Sequence, residues 1–285
     1  MDELYLLVVN YESSKLIARL VESIGNLEQN NCQLIIINNS PSDGEINNLK
    51  DNFIKIIDPG DNLGFGRACN LGLNWIYQQN SQAIVWLINP DAYFDLNSQS
   101  PIKRAIAFFK SYSQISILGT TVFNSQGEIT SAGGSFTPST AALAIIDSLP
   151  KDLSQDYYKT DWVSGCSLLI NLANFDQVPL FDPRYFLYYE DLDFCLRYRQ
   201  QNHQIAVTHL LKIIHDTSSI TDRNTLQKYR HITQSYLIHI EKHGNKKTFI
   251  LTNIRMSLNT IRLLIFRPQQ GLGKAIGIYE YWQNR

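Results

Sequence analysis

Residues 4–10 read "LYLLVVN". Apolar side chains fill successive positions up to Asn10, so a strand formed here needs cover on both faces, as strands inside a parallel sheet do. Working outward, the period changes. Leu16, Ile17, Leu20, Val21, Ile24 and Leu27 fall at helical spacing, with Ser13 or Ser14 placed to cap the first turn. A second apolar run, "QLIIIN" (33–38), is followed by the turn-rich "NSPSDG". A third, "FIKIID" (53–58), precedes a helical stretch over 67–79, and "AIVWLIN" (83–89) makes a fourth. Strands alternating with helices predict an α/β fold, a parallel sheet wrapped in helices.

Past residue 115 the pattern is mixed. "ISILGTTVF" (115–123) and "WVSGCSLLI" (162–170) read as strands. Between them residues 130–140, rich in Gly, Ser and Thr, read as irregular, long enough for a mobile lid or acceptor loop. "EDLDFCLRYRQQ" (190–201) predicts a helix, "QIAVTHLLKIIH" (204–215) a strand, and nearly everything from 221 onward a helix.

With 44% hydrophobic and 18% charged residues in 285, the chain is globular. Its net charge of −1 gives no global attraction to nucleic acid. The charge is unevenly placed: residues 221–285 carry a net +8 and the remainder −9. A basic tail on an acidic body points to an anionic partner, such as a membrane surface. Cys32, Cys69, Cys166 and Cys195 show no C-x-x-C spacing and read as buried free thiols in a reducing compartment. The N-terminus lacks the basic n-region of a signal peptide, and no uncharged apolar run approaches about 18 residues. The expectation is a cytoplasmic protein, soluble or peripheral on the inner face of the plasma membrane.

Four stretches could carry chemistry. "DNLGFGRACNLG" (61–72) is either a phosphate-cradling loop entering a helix or a tight turn. It is a poor dinucleotide fingerprint, since Cys69 stands at the third glycine position and the loop follows the third strand. "INPDAYF" (88–94) sets Asp91 at the carboxyl end of the sheet, to bind a hard cation or merely to end the strand in an Asx turn. In "YYEDLDFCLR" (188–197), first-turn electrostatics and a surface pair with Arg197 account for Glu190 and Asp193, whereas Asp191 shares its face with Phe194, Cys195 and Tyr198. An inward carboxylate needs a partner or a task. In "LLKIIHD" (210–216), His215 is either a metal or phosphate ligand or a structural histidine.

The order of "VVNYESS", "IIINNSPSDG", "NLGFGRACNLGL", "LINPDA", "SAGG", "VSGCSLLI", "YFLYYEDLDFCLR" and "IIHD" resembles that of family 2 glycosyltransferases of the GT-A fold, especially their rhamnosyltransferase-like branch. The resemblance spans about residues 4–216. It implies a GT-A nucleotide-diphospho-sugar transferase fold, a Rossmann-like mixed sheet flanked by helices, over residues 1–220. Within it, 1–95 would bind the nucleotide sugar and 96–220 the acceptor, with 221–285 a basic helical extension.

The implied reaction moves a sugar, rhamnose in this branch, from a nucleotide-diphosphate donor to an acceptor hydroxyl with inversion, in cell-surface polysaccharide or glycan synthesis. By the same resemblance Val9, Asn10, Tyr11 and Asn38 match segments that hold the base and ribose, and Asn62, Gly64 and Arg67 the loop beside the nucleotide. Asn89 and Asp91 match the D-x-D acids, and His215 a late residue; Asp91 and His215 would hold Mg²⁺ or Mn²⁺ on the diphosphate. Asp191 matches the catalytic base and Glu190 its neighbour. Two departures stand out: Asn38 and Asn89 occupy positions where the family usually has Asp.

These residue types suit the chemistry. A cation stabilises the leaving diphosphate, and a carboxylate opposite it takes the acceptor proton in a single displacement. Acceptor contacts are expected from Trp162, Gly165, Tyr188 and Tyr189, the aromatics stacking on sugar faces or serving the core. Residues 246–267 carry basic residues beside an apolar helix face, fitting either an interfacial helix on anionic lipid or a helix packed on the core or a dimer mate. The acceptor is expected to be a glycan, free or lipid-linked. Two other functions fit the same fold. A sugar-nucleotidyltransferase would need an early glycine-rich basic loop, absent from "NYESS", and a non-catalytic sugar-nucleotide-binding protein would explain the two Asn substitutions.

Overall fold

All seven residues of Leu4–Asn10 are buried in a strand, β1, at the middle of the molecule. The computed structural model describes residues 3–95, 100–216 and 224–285. After β1 come α1 (Ser14–Ile24), β2 (Cys32–Asn38), β3 (Ile54–Ile57), α2 (Phe65–Gln79), β4 (Ile84–Ile88), β5 (Ala92–Tyr93) and α3 (Pro101–Ser111). There follow β6 (Ile115–Phe123), β7 (Ile129–Ser131), β8 (Gly134–Thr137), β9 (Ala142–Ile145), β10 (Tyr157–Lys159) and β11 (Ser167–Asn171). The remainder is α4 (Glu190–Gln200), β12 (Gln204–His215), α5 (Thr225–His243), α6 (Lys246–Phe266) and α7 (Pro268–Gln283). The expected boundary at 220/221 lies outside the described residues.

The main sheet runs β10-β12-β6-β11-β4-β1-β2-β3. Its β4-β1-β2-β3 half is parallel, β11 is antiparallel to both neighbours, and β12 is parallel to β6. Alternate residues of β1 feed two cores. Leu4, Leu6 and Val8 pack with Ile17 and Leu20 of α1 and Ile102 and Phe109 of α3. Tyr5, Leu7 and Val9 pack with Ala68, Cys69 and Leu73 of α2 and Leu192 and Phe194 of α4. The uninterrupted apolar run is therefore the direct consequence of helices on both faces.

Three expectations need correction. Residues 130–140 are not irregular: β7 pairs with β6, and β8 forms a hairpin with β9. The hairpin escaped notice because β9 is exposed throughout and so shows no burial alternation. Of "WVSGCSLLI" only the end is strand, and Val163–Cys166 is loop. Asp193 pairs with Arg197 as expected, Nε to Oδ2 2.7 Å, but its carboxylate is fully buried rather than on a helix surface. Its other oxygen meets Lys242 Nζ at 2.7 Å and His243 Nε2 at 2.8 Å, both from α5. Burial pushes this carboxyl up, but His243, Arg197 and Lys242 together outweigh that and hold it near 2. One buried acid thus ties the C-terminal helices to the sheet domain. α5 and α7 come so close that a Cβ on Gly273 or Gly277 would stand 2.4 Å from an α5 backbone carbonyl.

Candidate active site

A cleft of about 1460 Å³ opens at the carboxyl ends of β1 and β4. In open α/β sheets ligands gather at this edge, where the strand order reverses. Val9, Tyr11, Asn62, Gly64, Arg67, Asn89 and Asp91 lie on one wall. The same cleft is lined further by Gln227, Arg230, His231 and Gln234 of α5 and Glu280 and Tyr281 of α7.

Asp91 and His215 are brought together by sheet register. After Pro90 ends β4, β5 turns back and pairs antiparallel with the end of β12, setting Ala92 opposite His215. His215 Nε2 then lies 3.0 Å from Asp91 Oδ1, with Asn89 Nδ2 3.5 Å from the same nitrogen. Both side chains are mostly buried yet reach the cleft. A carboxylate oxygen and an imidazole nitrogen at one point suit a hard divalent cation, but two protein ligands fill only part of its coordination shell. No group of three or more His, Cys, Asp or Glu fit for a metal occurs among the described residues. A cation held by these two side chains would take most of its ligands from outside the protein.

The nucleotide-side residues divide. Asn10 and Asn38 are both buried, and Asn10 Nδ2 donates to Asn38 Oδ1 at 2.9 Å. Asn10 Oδ1 accepts from the Ser13 N–H and hydroxyl, locking the turn after β1. These two brace the wall from behind, and the next residue, Asn39, is on it. Asn39 Nδ2 donates to Asn62 Oδ1 at 2.9 Å, and Asn39 Oδ1 accepts from Leu63 N at 2.8 Å. Gly64, the N-cap just before α2, has φ +80, and a Cβ there would stand 2.3 Å from the Phe186 carbonyl, so only glycine fits. Arg67, in the first turn of α2, donates to the Pro183 carbonyl from the cleft wall.

Asp191 lies in the first turn of α4. Its Oδ2 accepts from Gly165 N at 2.8 Å and its Oδ1 from Leu192 N at 2.8 Å. It is not on the wall of the large cleft; Gly165 separates it from the ring of Phe65, which is. A Cβ on Gly165 would press on Asp191 Cβ at 3.3 Å and Phe65 at 3.5 Å. The strand-end loops join the two acids: Asn89 N donates to the Cys166 carbonyl, and Cys166 follows Gly165. Burial first, then the charges of Asp191 and Asp91, push the Cys166 thiol up to about 12. Burial also raises the Asp191 carboxyl, against its backbone hydrogen bonds. Glu190 is buried, its Oε2 has no hydrogen-bond partner, and burial and the neighbouring Asp191 push it up to about 8.

Tyr188 and Tyr189 enter α4 with φ of 71 and 66. Two consecutive tyrosines in the left-handed region are strained, and such strain concentrates at functional sites. Tyr188 is on the cleft wall, whereas Tyr189 packs on Tyr236 and His239 of α5. Trp162 is buried against Gly134 and away from the cleft wall.

Residues 5–140 match the family model of glycosyl transferase family 2. The chain is 25% identical over 218 residues to the low-salt glycan biosynthesis hexosyltransferase Agl10 of Haloferax volcanii, covering 76% of this chain and 68% of that protein. The protein is a glycosyltransferase of the GT-A fold. Solved structures share the fold at low identity. A mannosyltransferase from Pyrobaculum calidifontis, in complex with GDP-Man and Mn²⁺, aligns with a TM-score of 0.56 and 8% identity over 99% of this chain and 88% of its own. GalNAc-T7, with UDP, GalNAc and Mn²⁺, aligns at 0.58 and 12% over 82% of this chain, which spans half of that one.

In this glycosyltransferase the surfaces that sequence reading missed are Asn39 and the α5–α7 wall. The tandem asparagines of "INNS" carried a signal, since adjacent strand-end residues point to opposite faces and only one can meet the cleft. The helical wall carried none, because residues 221–285 read as an appendage by charge alone.

Proposed function

We propose that this glycosyltransferase catalyses inverting transfer of a sugar, rhamnose by the branch resemblance, from a nucleotide-diphosphate donor to a glycan hydroxyl, free or lipid-linked, in glycan synthesis at the cytoplasmic face of the membrane. The observation that carries the reading is the meeting of Asp91 and His215 at one end of the cleft, joined through the 89–91 and 165–166 loops to Asp191. Asp91 and His215 would hold a divalent cation, which supplies charge neutralisation for the leaving diphosphate. Tyr11, Asn39 and Asn62 line the donor side, and the α5–α7 wall, rich in amide and charged side chains, faces the acceptor.

The resemblance gives Asp191 the acceptor proton, although its carboxylate sits behind Gly165, off the wall of the cleft. Its two backbone hydrogen bonds fix the carboxylate plane, while burial strengthens its hold on a proton, as a general base requires. Glu190, raised to about 8, is mostly neutral at pH 7 and adds no like charge beside it.

The test incubates the protein with a panel of nucleotide sugars, Mg²⁺ or Mn²⁺, and acceptor extracts, and follows the phosphate product. Nucleoside diphosphate is expected. Pyrophosphate from sugar phosphate and nucleoside triphosphate would indicate a nucleotidyltransferase, and binding without turnover a non-catalytic protein. Asp191→Asn should retain donor binding, read by thermal shift, and lose transfer by about 10²–10⁴-fold. Near-wild-type transfer would remove Asp191 as the base.

A further inference from the structure

α6 is apolar on two sides, and only one is covered. Met256 and Thr260 are buried within the protein. On the other side Ile250, Ile254, Leu258, Ile261 and Ile265 are each more than half exposed. Their spacing of four, four, three and four confines them to an arc of about 80° at about 100° per residue, a continuous stripe along the 21-residue helix. Phe266, the last residue of the helix, is 74% exposed beyond the arginine flank. Lone surface leucines need no explanation, but a contiguous stripe marks an interaction surface.

Charge selects the occupant. Residues 246–279 hold six Lys or Arg and no Asp or Glu. Arg255 and Arg262 are exposed and, at helical spacing, fall along one flank of the stripe. Neither they nor Lys246, Lys247 and Arg267 make a salt bridge among the described residues. A second copy of the chain docked by this face in two-fold symmetry would bring cations against cations with no acid on α6 to answer them. An anionic lipid leaflet answers both features at once: acyl chains cover the stripe and headgroups meet the arginines.

α6 is long and apolar enough to cross a membrane by composition. Spanning would carry Arg255 and Arg262 into the hydrocarbon and tear Met256 and Thr260 from their packing. We infer that α6 docks the enzyme onto an anionic phospholipid surface, its exposed stripe lying in the plane of the leaflet. This is independent of the proposed transfer reaction.

The experiment floats the full-length protein with vesicles of phosphatidylcholine alone or with phosphatidylglycerol. Binding is expected to phosphatidylglycerol vesicles, weaker at 0.5 M salt, with release by alkaline carbonate. Arg255→Gln with Arg262→Gln should weaken it by about fivefold for each cation removed. Ile254→Ser, Leu258→Ser and Ile261→Ser together should weaken it more than tenfold, while leaving the thermal shift with nucleotide sugar unchanged. Absence of binding overturns the inference, as does equal, salt-independent binding to phosphatidylcholine. Resistance to carbonate would show a spanning helix. Loss of vesicle binding in favour of a dimer that the serine variants dissolve would assign the face to a second copy.

Discussion

Replacing Glu190 by Gln tests the electrostatics of the site through stability. The native carboxyl lies near 8 against an ordinary value of 4.5, chiefly through burial and secondarily through Asp191. Between these values the folded state keeps a proton that the unfolded state has released. Stability therefore falls as pH rises, by about 1.4 kcal/mol per unit. The loss accumulates to about 3 kcal/mol at pH 7 and about 5 kcal/mol by pH 9, as orders of magnitude. Gln cannot ionise and so abolishes this slope. Its amide, however, would stand where Glu190 Oε2 has no partner, and an unsatisfied buried donor costs about 1–3 kcal/mol. The two stability curves should cross: wild type is the more stable at pH 5, and Glu190→Gln by a few kcal/mol at pH 9. Urea denaturation at pH 5, 7 and 9 measures this. Parallel curves would show that Glu190 ionises normally, and the claim that it is neutral beside Asp191 would fall with them.

His239 contributes a slope of the opposite sign. Burial first, then the neighbouring His243, lowers it to about 3, and neither ring nitrogen has a hydrogen-bond partner. The unfolded chain binds the extra proton, so stability drops as pH falls from about 6.5 toward 3, and His239→Phe should flatten acid denaturation followed by circular dichroism over that range. Gly64→Ala should abolish the thermal shift given by nucleotide sugars, because the added methyl meets the Phe186 carbonyl and φ +80 disfavours it; retained donor binding would show that this turn is not part of the donor wall.

The strands were legible because apolar runs report burial on two faces, and Leu4–Asn10 and Gln204–His215 appear with the bounds their patterns imply. Nothing local announces that β5 will pair with β12, so the residues alone nominated Asp91 and His215 separately; only the family resemblance set them at one cation, and the pairing of β5 with β12 is what brings them to 3.0 Å. Asn10 and Asn38 illustrate a related limit. Strand-end amides look alike in sequence whether they face a ligand or one another, and here they face one another. Asp193 shows the limit for charge. Arg197, four residues on, is a visible partner, whereas Lys242 and His243 arrive from another helix and turn a surface pair into a buried hub.

That hub makes a prediction about where the enzyme can be cut. The charge change near residue 220 invites removal of everything beyond it, as though a basic tail hung from a finished domain. The packing opposes this. Ile240 of α5 belongs to the same core as Leu7 and Phe194, and Leu237 packs with Tyr185. A chain ending at residue 216 would expose these surfaces and leave Asp193, fully buried, with Arg197 but without Lys242 and His243. Breaking a buried ionic cluster from one side costs about 3–5 kcal/mol, a large share of a domain's total stability of about 5–15 kcal/mol, before the lost apolar burial is added. The truncated chain should therefore show no cooperative thermal transition. In the full chain Asp193→Asn should lower the urea midpoint while leaving the unfolding slope unchanged. A truncated protein that melts within a few degrees of the full one would mean that α5 rests on a completed domain, and that the cleft wall it supplies can be removed without loss of the fold.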